Sequence, residues 1–204
     1  MSMNLRGPSE QYVLNVDQRE KLMAVCEDVR DRVIVKLPMF LGLRAGEAIH
    51  VRTAWVDSEH NLRIPPEMRC TCETCGKRKT PGVWAPKTAR GARTIAIPQY
   101  VKDDLGPFLA SYPAGLNMSR FAFHHRIKLL MGRARITIPG LGGDTGFPHI
   151  LRATCATMLA EGGMSAMYLC YAMGWKDLQQ GQHYVNQAVM KSGATEKAKQ
   201  IFGG

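Results

Sequence analysis

The sequence lacks any apolar run approaching the roughly 18 residues of a membrane span, and its opening stretch, MSMNLRGPSEQ, lacks the charged-then-apolar order of a secretory signal. Repeats and low-complexity segments are missing too. Acid is scarce: 17 Asp and Glu stand against 27 Lys and Arg, a formal charge of +10. The first two absences argue against a spanning helix and a secreted product, so a cytoplasmic (nucleoid) protein is expected. There the six cysteines read as thiols or metal ligands rather than disulfides. The shortage of acid suggests a polyanionic partner, although charge alone does not separate that from a basic protein that binds nothing. What is present is ordinary: 204 residues, 45% hydrophobic and 22% charged, enough for one domain with a substantial core.

Groups that carry chemistry concentrate between His149 and Tyr184. His149 and Arg152 are three apart and share a helical face. Pro148 suits a helix start, where free N–H groups favour an anion. Apolar residues recur at helical spacing until Gly174, a C-cap that presents Trp175 at a helix end. Asp177 can cap a further short helix bearing Tyr184, which follows a polar run and is expected to be reachable. Upstream, GLRAGEAIHV places Arg44 at a helix start with Glu47 three residues on. Taken alone, Arg44 reads first as a solvated loop arginine or a partner for Glu47.

The ordered set H-I-L-R, A-M-G-W and Y, with Arg152 to Trp175 spanning 23 positions and Trp175 to Tyr184 nine, resembles the catalytic core of the tyrosine recombinases (phage-integrase family). The resemblance covers about residues 17–190 and implies a mainly α fold with a small antiparallel β-sheet. It implies catalytic roles for Arg44, Lys87, His149, Arg152, Trp175 and Tyr184, with Glu47 orienting Arg44 or His149. Lys87, in WAPKTARGARTI, lies where the family carries a mobile lysine at a hairpin turn, although by itself it reads as an exposed lysine. Family members normally carry an N-terminal domain that clamps the other face of DNA, which residues 1–16, a linker or arm, are too few to build. A tail at 191–204, with Ile201 and Phe202 as anchor, is expected to dock on a neighbouring subunit.

In chain order, a helix is expected from Asp17 to about Arg30, with Pro38 ending or kinking the apolar run that follows. Residues 61–65 and 92–97 alternate as two antiparallel strands, with a third through 83–87 turning at Arg90–Gly91. An insertion at about 66–83 holds Cys70, Cys72 and Cys75. Clustered thiolates next to cations suggest a structural zinc, against three free thiols on a loop. A fourth ligand would be His60, Glu73, another loop residue or a second chain. Lys77, Arg78 and Lys79 would then face DNA. Residues 98–110 read as a helix broken near Gly106–Pro107. In 118–135, Phe121, His124, Ile127, Leu130, Met131 and Ala134 are expected on one face. Arg90, Arg93, Arg120, Arg126 and Lys128 are candidate phosphate contacts or solvated charges.

The chemistry implied is transesterification of double-stranded DNA through a 3′-phosphotyrosyl link, with no catalytic cofactor. A homo-oligomer, dimer or tetramer, would act on the DNA. Integration or excision of a mobile element is the expected setting. Relaxation of the type IB topoisomerase kind, and an inactive zinc-stapled DNA-binding module, are the competing readings.

Overall fold

A computed structural model describes residues 12–76, 82–137 and 148–191, together with Gly193 and Ile201. The basic triplet 77–79, the loop before Pro148 and all of the expected tail anchor except Ile201 lie outside the described residues. The architecture is mainly helical with small antiparallel sheets. Among the described residues, no helix is long and apolar enough to cross a membrane.

Helix α1 (Val16–Ala24) is capped by Asn15, whose side chain accepts from Gln18 N while Gln18 answers the Asn15 N–H. The cap therefore falls two residues ahead of Asp17. Of the residues before α1, 12–15 are described: Tyr12 and Leu14 are buried, and Leu14 N donates to Thr154 Oγ1 at 2.9 Å. The chain breaks after α1, and Asp28 caps α2 (Val29–Leu41). Pro38 lies inside α2 without ending it, because nearly every residue from Val33 onward is buried and packing outweighs the lost hydrogen bond. Gly42 then stops the helix at φ +60, where a Cβ would sit 2.6 Å from Met173 Sδ.

The short α3 (Ala45–Ala48) follows. Strand β1 (Asn61–Ile64) pairs antiparallel with β4 (Arg93–Ala96), from Asn61 opposite Ala96 to Ile64 opposite Arg93. The third expected strand does not join them. Instead β2 (Met68–Arg69) and β3 (Val83–Trp84) form a separate ribbon closing the cysteine segment, which includes α4 (Glu73–Gly76). Lys87 leaves that ribbon in a bend ahead of a 3-10 turn at Ala89–Gly91.

Helix α5 (Gln99–Ser111) runs unbroken through Gly106 and Pro107, held to α2 by its stripe of Val101, Leu105, Phe108 and Leu109. Helix α6 (Arg120–Arg133) buries Phe123, Ile127, Leu130 and Met131. Phe121 stands 81% exposed, because a face counted from 123 keeps i, i+4, i+7, i+8 spacing and 121 lies off it. Helices α7 (Pro148–Glu161), α8 (Ala166–Met173) and α9 (Leu178–Lys191) complete the described chain. As expected, Gly174 caps α8 in the left-handed region and Asp177 caps α9 through Gln179 N at 2.9 Å; Pro148 is the first described residue of α7.

Two cores result. The larger joins α2, α5, α6 and the sheets; the smaller, with Cys155, Ala156, Leu169, Met173 and Tyr184, binds α9 to α7 and α8. The approach of α9 to α8 is close enough that a Cβ on Gly181 would meet Ala166 O at 2.5 Å.

Candidate active site

Arg44 occupies the N-cap of α3, and its own backbone N–H donates to Glu47 Oε2 at 2.9 Å. Its guanidinium donates to Glu47 Oε1 at 3.0 Å. Glu47 is buried and serves more than one cation. Arg93 Nη2 lies 3.1 Å from Oε2, Arg93 Nη1 3.3 Å from Oε1, and Arg152 Nη1 4.0 Å from Oε2. Burial pushes the Glu47 carboxyl up, but Arg93, Arg152 and the Arg44 amide outweigh it and hold it below the usual carboxylate range.

The same three guanidiniums finish a helix. The last carbonyls of α8 have no partner within the helix. Ala172 O accepts from Arg93 Nε at 2.8 Å, Met173 O from Arg152 Nη2, and Gly174 O from Arg44 Nη2 at 3.0 Å. Cations at a helix C-terminus also complement its dipole. Arg152 reaches across to Gly42 O as well, joining the ends of α2 and α8. Trp175, next in the chain, is thereby fixed beside the arginines, with the Arg152 guanidinium 5.9 Å from its ring centre.

Tyr184 stacks on Trp175, with ring centroids 5.2 Å apart and planes 15° from parallel. It is only 3% exposed, which corrects the expectation of an accessible phenol. The polar run before it forms the outer face of α9, while Gly181, Tyr184 and Ala188 turn inward at i, i+3, i+7. Tyr184 nevertheless faces the site: Arg44, His149, Arg152, Trp175, Gln180 and Tyr184 line one hollow of about 230 Å³. A wider cleft of about 500 Å³ shares Arg44, His149 and Arg152, and adds Lys87, Arg120 and His124.

Electrostatically the site is under-neutralised. Burial above all, then Arg44 and Arg93, lowers the Arg152 pKa to about 9, with Glu47 only partly opposing them. His149 is exposed where it lines both hollows. Loss of water around the ring lowers its pKa below 6.5, with Arg152, His124, Arg44 and Lys87 adding to the shift. A cleft with this surplus of donors and positive charge is built to receive an oxyanion.

All six residues expected at the catalytic centre, and Glu47, therefore meet around two adjoining hollows. The candidate phosphate contacts divide. Arg120, Arg90 and Lys128 are exposed, Arg120 on the cleft rim and Arg90 donating to Lys176 O at 3.2 Å. Arg93 is corrected: its side chain is 0% exposed and committed to Glu47, Gly91 O and Ala172 O. Arg126 is likewise a helix clamp, holding Asp31 of α2 through two 2.6 Å contacts. Cys70, Cys72 and Cys75 gather with His50, their donor atoms all within 4.8 Å of one another. The exposed His60 is not the fourth member. Sequence reasoning missed His50, the buried pairing of Arg93 with Glu47 and the cleft position of His124; only a His among apolar neighbours in EAIHV marked the first.

A mostly helical domain with small sheets, presenting two arginines, a histidine and a stacked tyrosine to one cleft, defines a class. The chain belongs to the phage integrase family, whose profile matches residues 12–190. It is 24% identical over 177 residues to tyrosine recombinase XerA of Saccharolobus solfataricus, covering 87% of this chain and 53% of that protein. It is 28% identical over 193 residues to tyrosine recombinase XerC of Mycobacterium leprae, covering 88% and 60%. The chain thus spans less than two thirds of the length of these curated relatives. Its fold matches the crystal structure of XerA recombinase at TM-score 0.67, with 17% identity and coverage of 90% and 62%. It matches the Tn1549 transposon integrase in complex with transposon right end DNA at 0.68, with 18% identity and coverage of 93% and 67%. The catalytic domain of bacteriophage HP1 integrase matches at 0.55, with 17% identity and coverage of 88% and 93%.

Proposed function

We propose that this chain cleaves and rejoins double-stranded DNA as a site-specific recombinase, integrating or excising a mobile element. The observation that carries the reading is the convergence of Arg44, Arg152, His149 and Tyr184 on one hollow. Tyr184 Oη attacks the scissile phosphorus, forming a 3′-phosphotyrosyl bond as the P–O5′ bond breaks. His149 takes the phenol proton, since the Trp175 indole can donate but has no basic nitrogen. Lys87, on the wall of the adjoining cleft, protonates the departing 5′-oxygen. Arg44 and Arg152 bind the non-bridging oxygens, whose charge grows in the transition state. Rejoining reverses each step with a new 5′-hydroxyl and needs no external energy source. No step calls on a metal.

Arg120, Arg90 and Lys128 are assigned to the DNA backbone. A homo-oligomer assembles on the DNA, in the cytoplasm (nucleoid). The test is covalent trapping. Nicked duplexes incubated with the protein in EDTA should yield SDS-resistant protein–DNA adducts. DNA binding without any adduct would favour an inactive binding module instead.

The acid limb of the reaction follows from His149. A base must be neutral, and a pKa lowered from 6.5 means the neutral form persists to lower pH. Adduct formation at subsaturating DNA, which reports the free enzyme, should rise with pH through an inflection below 6.5 and then level off. His149→Ala should flatten that limb. An inflection above 6.5 would remove His149 from this role.

A further inference from the structure

We propose that His50, Cys70, Cys72 and Cys75 bind one zinc ion, and that this ion sets the position of Lys87 relative to Arg44. The four donors come from two parts of the chain. His50 follows α3, and the thiols lie in a Cys-x-Cys-x2-Cys run that begins twenty positions later. His50, Cys70 and Cys75 are buried. Their atoms already approach a coordination shell. Tetrahedral zinc with bonds of about 2.3 Å to sulfur and 2.0 Å to nitrogen needs donor separations of roughly 3.5–3.8 Å. His50 Nε2 lies 3.3 Å from both Cys72 Sγ and Cys75 Sγ, and all four donors fall within 4.8 Å. Three sulfurs and an imidazole, with no carboxylate in the set, select zinc over calcium or magnesium.

The histidine is also oriented for a metal. His50 Nδ1 lies 2.7 Å from Gly46 O, a contact satisfied when Nδ1 carries the proton, which leaves the Nε2 lone pair facing the thiols. Gly46 O takes a second donor, Trp84 Nε1 at 3.1 Å. Trp84 packs between His50 and Trp55, at ring distances of 5.3 and 4.9 Å. Cys70 N donates to Gly82 O at 2.8 Å and closes the ribbon. Arg44 opens the helix that contains Gly46, and Lys87 lies three residues beyond Trp84. One ion thus staples the segment leading to Lys87 onto the helix that begins at Arg44. It acts as a positioning device away from the reacting atoms.

Metal binding is independent of the DNA chemistry; only the assignment of Lys87 rests on the recombinase reading. The full chain, purified from zinc-supplemented cells, should hold one equivalent of zinc. Cobalt(II) in its place should give the visible bands of a tetrahedral site with thiolate charge transfer. His50→Ala and Cys72→Ser should each weaken metal affinity at least about tenfold. His50→Cys, a four-sulfur site, should retain the metal even where His50→Ala folds poorly. On zinc removal, amide exchange should accelerate at 82–91 and stay unchanged in α7. Folded protein with less than about a tenth of an equivalent, or His50→Ala with undiminished affinity, would overturn the site. Unchanged exchange at 82–91 would overturn the positioning. Adducts forming without bound zinc would count against this proposal alone, and zinc bound without adducts against the recombinase reading alone.

Discussion

Tyr184→Phe is expected to abolish the SDS-resistant adduct while leaving DNA affinity within about twofold. The substitution removes one oxygen, the atom that would bond to phosphorus. No other tyrosine is placed to replace it: Tyr168 and Tyr171 stand exposed on α8 and line no part of the hollow that Tyr184 shares with the arginines. Losing the covalent nucleophile costs on the order of 10⁴-fold or more, which in a trapping gel is complete loss. The fold should survive, because the ring keeps its stack on Trp175 and its place in the smaller core. Stability should change by no more than about 1 kcal/mol, the net worth of one hydrogen bond. A variant that still forms adducts would dismiss Tyr184 as nucleophile. Lost adducts accompanied by a collapsed melting temperature would mean that only packing had been tested.

Glu47→Ala should be the most destabilising single change at the site. The carboxylate is buried and holds Arg93, whose side chain is wholly enclosed, as well as the N-terminus of α3 and the Arg44 guanidinium. Removing one partner of a buried ion pair leaves the other charge without compensation, typically at a cost of about 3–5 kcal/mol. In a chain of this size that lowers the melting temperature by roughly 10 °C. The damage should also reach the chemistry, because Arg44 would lose the contact that fixes its fork. Glu47→Gln keeps the shape and acceptor capacity on one side, so it should fall between wild type and Glu47→Ala. Thermal melts of the three proteins decide the matter. A Glu47→Ala melt within a degree or two of wild type would mean that Arg93 finds another partner.

The residues proposed to act on a phosphodiester were legible because that chemistry restricts their types and the helices restrict their spacing. His149 and Arg152 had to share a face, Gly174 had to end a helix, and both followed from local rules. The misjudged points are all tertiary. Pro38 and Pro107 interrupt helices by local preference, yet burial of α2 against α5 carries both helices through. Arg93 looks like a surface cation until the two-stranded sheet swings it under α8, 46 positions from its carboxylate. Tyr184 looked accessible because its sequence neighbours are polar, but those neighbours occupy the opposite side of the helix. His50 gave no periodic signal, because its companions come from a separate ribbon and meet it only after folding.

Three guanidiniums around a single carboxylate leave an excess of two positive charges in the heart of the domain. An oxyanion that binds there engages the native state and not the unfolded chain, so by linkage it raises the free energy of unfolding as it saturates the site. Heat tolerance and substrate occupancy become one thermodynamic quantity read in two ways. Evolution then meets a conflict at these side chains: a change that relieves the crowding of cations makes the resting fold sturdier and the attraction for any oxyanion weaker.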